Sequence, residues 1–308
     1  MTVPTQVQLC TEGLQKAGFG SGNASFATLL TRAQTYWFEE IKQDIYTLSQ
    51  ELRSLMKTYV HITIPNQARY DMPADYEQTI GDMMLMDAVF FGTCKAAGTS
   101  NTLTLDTLES ATSDDILGRE VVIYAGTGAN QYAQCIAYNA TTKLATFEAG
   151  SFTTLADNTS KYFICSDQDT LDYKSVAEYD LIAAETSVRD EPESYTIKAN
   201  AGVGEFLLYP APQRTDSNLT VYGIKHRYFA NIILLSDATL LSTLYQRWRN
   251  IWTQGIFAKA LQDKDDNRAE KEMGTYYTLI KAMIAREAPL PEMEDFIYPA
   301  YTNYKESH

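Results

Sequence analysis

Early in this chain the spacing of apolar residues switches from helical to strand-like, and that switch demands a mixed architecture. From Phe26 the apolar side chains fall at Phe26, Leu29, Leu30, Ala33, Trp37, Ile41, Ile45 and Leu48. Steps of three and four gather them on one helical face, with Ser25 as the expected N-cap. After Leu55 the period drops to two, Tyr59, His61 and Thr63 alternating with Val60, Ile62 and Ile64 as in a strand. Thr5 to Ala17 reads as a preceding helix stopped by Gly18. Proline pushes its predecessor toward extended backbone, so Met72 to Asp75 is expected to leave a strand. Ile80 to Phe91 reads as a buried strand.

From Gly92 to Cys165 the composition turns to Thr, Ser, Ala and Gly. Short strand signals at Thr102–Leu105, Glu120–Tyr124, Gln134–Tyr138, Leu144–Phe147 and Tyr162–Cys165 are separated by turn residues. That rhythm is expected of a small all-β barrel or sandwich, and residues 92–166 read as an inserted domain. Strand signals return at Tyr195–Ile197, Glu205–Tyr209 and Leu219–His226. Two helices follow, one carrying Leu240, Leu241, Leu244, Trp248, Ile251, Trp252 and Ile256, the other Met273, Tyr276, Tyr277, Ile280, Met283 and Ile284. The short polar linker Asp263–Asn267 makes them an expected antiparallel hairpin. The segment 288–308 holds Pro289, Pro291 and Pro299 among Phe296, Tyr298, Tyr301 and Tyr304. Three prolines forbid a long helix, and four aromatics are costly to leave in water, so this tail is expected to dock.

Charge narrows the function. The 308 residues carry 25 basic and 39 acidic side chains, a net of −14. Gripping nucleic acid or anionic lipid requires the opposite sign. Within Asp167–Glu193, nine acids against two bases give 2 − 9 = −7, half the total. Cys10, Cys94, Cys135 and Cys165 are too scattered for a metal site or disulfide framework and read as buried thiols. The N-terminus lacks a signal-peptide pattern, and no apolar run approaches the ~20 residues of a membrane span, so the chain reads as soluble. Of three histidines, His61 and His226 lie in strand-like segments and read as structural.

Several motifs invite chemistry and fail on detail. Gly126-Thr127-Gly128-Ala129-Asn130-Gln131 lacks the third glycine and the following helix of a phosphate loop, and reads as a tight hairpin turn. Asp263-Lys264-Asp265-Asp266-Asn267 begins like a calcium loop, but Arg268 and Gly274 stand where glycine and glutamate are needed. It reads as a helix start. Asp114-Asp115 and Asp190-Glu191 could be imagined as general acid and base, although solvated acidic loops are commoner. No catalytic residue, cofactor or metal is expected.

The order of elements carries a resemblance. The Trp/Phe helix leads through an alternating strand to Tyr70-Asp71-Met72-Pro73-Ala74-Asp75. Later come Pro192-Glu193-Ser194-Tyr195-Thr196-Ile197, Phe206-Leu207-Leu208-Tyr209-Pro210-Ala211-Pro212 and the terminal helical hairpin. This resembles the head-to-tail adaptor (connector) proteins of tailed bacteriophages over about residues 1 to 90 and 170 to 290. Ser110-Ala111-Thr112, the Gly126–Gln131 loop, Ile136-Ala137-Tyr138-Asn139 and Ala145-Thr146-Phe147 resemble a small β domain of phage head-tail and tail proteins. In many of those an arginine follows the glutamine by two positions, where this chain has Ala133.

The resemblance implies a non-enzymatic virion protein, assembled in the host cytoplasm, that forms a twelve-subunit ring at the head-tail junction. Its implied partners are copies of itself, the portal protein and a tail nozzle or tail tube protein. DNA would pass through the channel without specific binding, and no membrane is involved. The expected fold is α+β: a helical core with small sheets (1–91 and 167–287), the all-β insert (92–166) and an extended tail (288–308). Phe296, Tyr298, Tyr301 and Tyr304 are the expected portal anchors. Another structural tail component, a nozzle or head-completion ring, is the alternative, and a carbohydrate-binding or glycan-cleaving protein a third reading.

Overall fold

A computed structural model describes residues 4–106, 112–183, 188–200, 203–214, 219–235, 244 and 247–288. Helices and strands both contribute, 33% helical and 30% strand, so the fold is α+β. Two compact units divide it. One holds the residues up to Lys57, Ala74–Gln78 and those from Tyr228 onward; the other holds Thr58–Pro73 and Thr79–Arg227.

The first unit is mainly helical. Its opening helix, Gln6–Lys16, starts at a capping box in which Thr5 and Gln8 exchange side-chain and backbone hydrogen bonds. It ends where Gly18 turns at φ +86°. Leu9 and Leu14 are fully buried against the Arg249–Asp263 helix side of the unit. The expected long helix is present as Phe26–Arg32 and Phe38–Leu48, joined by a π-helical turn, Ala33–Trp37. The wider turn adds a residue to the repeat, so the consecutive Trp37 and Phe38 are both buried, and Phe38 stacks on Trp252 at 4.6 Å. Two expectations need correction. Ser25 is helical in its backbone and makes no capping bond, and Leu48 at the frayed end is 43% exposed.

The terminal hairpin consists of Arg249–Asp263 packed on Ala269–Glu287. Gly255 sits at the closest approach, where a Cβ would lie 2.6 Å from Ile41 Cδ1 and 2.9 Å from Tyr276 Cε2. Of the second helix's expected face, Tyr276, Ile280 and Met283 are buried, whereas Tyr277 is exposed. Leu240 and Leu241 lie outside the described residues.

The second unit is built around a nearly closed, barrel-like sheet. Its strands run in the order Met56–Ile62, Gly223–Ala230, Met84–Thr93, Lys161–Thr170, Glu120–Ala125 and Gln131–Gln134. Side chains alternate across a strand, and here both faces are covered. Tyr162 and Ile164 enter a cluster with Leu103, Leu105, Phe147 and Phe152, while Phe163 and Cys165 enter another with Val60, Met86, Val122 and Leu219. A four-stranded sheet orders Asp172–Tyr173, Ser194–Asn200, Val203–Tyr209 and Arg69–Asp71. Thr102–Thr104, Leu144–Thr146 and Ala137–Asn139 make a third sheet, and Arg189–Asp190 pairs with Ala211–Pro212.

The strand expected from Gln134 to Tyr138 does not exist as one strand. Cys135 still bonds to the Arg119 carbonyl, but the amide of Ile136 turns to Thr146, so the chain changes sheets between them. The expected Ile80–Phe91 strand starts only at Met84, after Gly81 turns at φ +63°. It is not buried throughout. Val89 is the extra residue of a bulge opposite Ile164 and Cys165, and it is 45% exposed. Both long strands, Met84–Thr93 and Lys161–Thr170, also run through the expected borders of the insert.

Candidate interaction site

The acidic segment gains a definite geometry from the elements it spans. It contains the end of Lys161–Thr170, the edge strand Asp172–Tyr173, the helix Val176–Ala183 and the short strand Arg189–Asp190. Leu171, Tyr179, Pro192 and Ser194 point inward and are buried. Asp169, Asp172, Glu178, Asp180, Asp190, Glu191 and Glu193 are all exposed. Tyr173 and Leu181, 54% and 77% exposed, lie among them, so apolar surface is interleaved with the charge.

Local bonds hold this row in place. Glu178 accepts from the Ser175 amide at 2.9 Å and hydroxyl at 2.7 Å, an N-terminal cap that lowers its carboxyl below the usual range. Lys198 donates to Asp180 at 2.6 Å while lying over the Tyr179 ring. Lys174 is 3.6 Å from Asp172.

Near the segment's end, carboxylates outnumber their counter-charge. Arg214 pairs with Asp87, donates to the Ala88 carbonyl at 3.3 Å and lies over Tyr222. Glu191 is pushed up by partial burial and by Asp87, Asp169 and Asp190, with Arg214 opposing. Tyr222 is pushed up to about 12, first by burial and then by Glu191. The imagined pair Asp190-Glu191 therefore sits on an exposed, like-charged edge whose Asp190 carbonyl accepts from Gln213. Asp115 of the other imagined pair accepts from the Thr112 amide and hydroxyl, which occupies it as a cap.

The remaining motifs resolve into structure. Gly126–Gln131 is the hairpin turn between Glu120–Ala125 and Gln131–Gln134. Gly126 adopts φ +79°, and a Cβ there would come 2.1 Å from the Thr159 carbonyl oxygen. Gln131 Oε1 accepts from the amides of Thr153 and Thr154, and its amide group donates to the Gly128 and Thr154 carbonyls. The glutamine is thus spent on the loop itself. Asp266 in the calcium-like stretch accepts from the Arg268 amide and guanidinium, which holds its carboxyl far below the usual range before Ala269–Glu287 begins.

His61 and His226 are buried, their rings 6.1 Å apart, with Tyr59 and Phe206 against His61 and the Thr79 hydroxyl 3.1 Å from His226 Nε2. Burial lowers His61 to about 3, with His226 adding to the effect, and lowers His226 to about 4. All four cysteines are buried and none forms a disulfide, and burial pushes Cys94 up to about 11. Among the described residues, no group of three or more His, Cys, Asp or Glu could hold a metal ion. No described helix is long and apolar enough to cross a membrane. Phe296, Tyr298, Tyr301 and Tyr304, the expected portal anchors, lie outside the described residues, as does nearly all of 288–308.

Two sites escaped the sequence. Arg214 gave no signal, since the acids around it come from distant strands. Glu287 did give one: an acid in the last turn of a helix opposes the macrodipole, and proline follows two residues later. No protein-family model matches the chain, and a search of curated proteins returns no match.

Proposed function

We propose that this chain is a structural virion protein, a ring-forming head-to-tail adaptor that joins the portal to the tail and continues the DNA channel. It is not an enzyme and needs no cofactor. The observation that carries the reading is the set of exposed carboxylates Asp169, Asp172, Glu178, Asp180, Asp190, Glu191 and Glu193, carried on short strands and a helix that bury Leu171 and Tyr179 beneath them. Facing a channel, such a row repels phosphates and lets DNA slide past; facing a neighbouring subunit, it meets a basic surface.

In this reading residues 1–91 and 167–287 are the adaptor core, long helices with small sheets, residues 92–166 are an inserted all-β domain, and 288–308 is an extended tail. Phe296, Tyr298, Tyr301 and Tyr304 anchor that tail on the portal, because buried aromatics dominate interface energies. The ring has twelve subunits, and a nozzle or tail tube protein binds it distally. Sedimentation of the purified protein with the portal protein of the same genome tests the reading. A portal-bound ring is expected; a chain that stays monomeric in the presence of assembled portal overturns it.

A further inference from the structure

The helix Ala269–Glu287 ends on a buried ion. Glu287 is 1% exposed, and both its oxygens are occupied. Oε2 accepts from the Ser54 amide at 3.2 Å and hydroxyl at 2.6 Å, and Oε1 accepts from Trp248 Nε1 at 3.0 Å and lies 3.1 Å from Arg247 Nη1. One residue earlier, Arg53 Nη2 donates to the Arg286 carbonyl at 2.8 Å. A single carboxylate therefore joins three segments: the turn Arg53–Leu55, the residues leading into Arg249–Asp263, and the end of Ala269–Glu287.

Helix energetics do not account for this acid. A negative charge in the last turn opposes the dipole, and burying a carboxylate costs several kcal/mol unless donors replace water. The neighbouring Arg286 satisfies the dipole. What Glu287 supplies is a fixed point at the exit of the helix, immediately before Ala288 and Pro289. We infer that Glu287 is a positioning residue, a clasp that fixes the C-terminal end of Ala269–Glu287, the point from which the proposed docking tail starts.

This rests on the tail-docking reading, and the test separates the two. Trypsin cleavage after Arg286, timed well below the melting temperature and divided by the rate for an unfolded peptide of the same local sequence, reads the clasp without any partner. The indole N–H signals of ¹⁵N-labelled protein report the Trp248 bond directly. Both Glu287 oxygens accept, so an amide must turn an N–H toward one set of donors. Glu287→Gln is therefore expected to release the end as Glu287→Ala does, with at least tenfold faster cleavage at Arg286 and a shifted Trp248 signal. Ser54→Ala, which keeps the charge, should produce a smaller change of the same kind. Cleavage of Glu287→Gln at the wild-type rate, or loss of the whole helical unit in every variant including Ser54→Ala, overturns the clasp. Portal binding is the separate arm. If a chain ending at Ala288 binds portal as well as the full chain, the tail-docking reading fails while the cleavage result stands. If the tail is required, Glu287→Gln should weaken binding by about tenfold with its remaining fold intact.

Discussion

In the helical unit a polar group is buried as an ion, Glu287, because Ser54, Trp248 and Arg247 surround it with donors. In the β unit His61 and His226 are buried as neutral rings among Tyr59, Phe206 and each other. Similar burial therefore produces opposite demands on protonation. Burial raises the Glu287 carboxyl, but the hydrogen bonds from Ser54 and Trp248 and the charge of Arg247 outweigh it and hold the group below its usual range. Its contribution is present above the ordinary carboxylate pKa and is lost as pH falls through the lowered one. The histidines sit at about 3 and about 4, below their ordinary 6.5. Their contribution is full above 6.5 and declines from there downward. Acid should attack the β unit first.

The largest expected effect follows from that order. At ~1.4 kcal/mol per pH unit for each group, two histidines lose on the order of 4 kcal/mol between pH 6.5 and pH 5. Amide exchange measured over this range should show protection falling in Thr58–Pro73 and Gly223–Arg227 while Arg249–Asp263 stays protected. Simultaneous loss in both units, or loss in the helices first, would break the comparison.

Packing distinguishes the units as well. The helices approach through Gly255, whereas the strands interlock by alternation around Tyr162, Phe163 and Ile164. Gly255→Ala forces a methyl against Ile41 and Tyr276 and is expected to cost about 1–3 kcal/mol in thermal unfolding. In the β unit a comparable loss of about 1–2 kcal/mol is expected of Gln131→Ala, because it strips the amides of Thr153 and Thr154 of their acceptor. A chemical-denaturation curve for each variant decides this. Near-zero cost for Gly255→Ala would mean that the helices can separate without penalty.

These differences explain what could be read from the sequence. Helix periodicity placed Trp37, Ile41, Ile45, Ile251 and Ile256, because a face that must be buried leaves a local pattern. The π turn at Ala33–Trp37 left none, since one inserted residue hides within steps of three and four. The strand Tyr162–Cys165 was visible as an apolar run, but its two cores were not, because the partners of Tyr162 and Phe163 come from strands tens of residues away. The sheet change at Cys135–Ile136 was missed for the same reason: both halves have strand propensity, and only the distant carbonyl of Thr146 decides the break. At the acidic segment the composition was plain, while its ordering into buried Leu171 and Tyr179 beneath exposed carboxylates was not. The crowding around Arg214 depends on Asp87, far off in sequence.

The smallest expected effect on stability tests the surface side of the comparison. Asp180 forms an ion pair with Lys198 at 2.6 Å, closer than Arg247 lies to Glu287, yet it remains 61% exposed. Exposed pairs contribute little, because water screens them and ordering two side chains opposes the gain. Asp180→Asn together with Asp172→Asn should therefore change unfolding by under about 0.5 kcal/mol, against the release expected of Glu287→Gln. The same double variant removes two charges from the outward row. If that row lines a DNA path, retention of DNA by the assembled particle should rise above wild type at low salt, and the difference should vanish at high salt, where screening removes the repulsion from both. A large fall in stability would mean that these carboxylates hold the β unit together. A stable variant whose DNA passage is unchanged at every salt concentration would place the row against a protein neighbour rather than the channel.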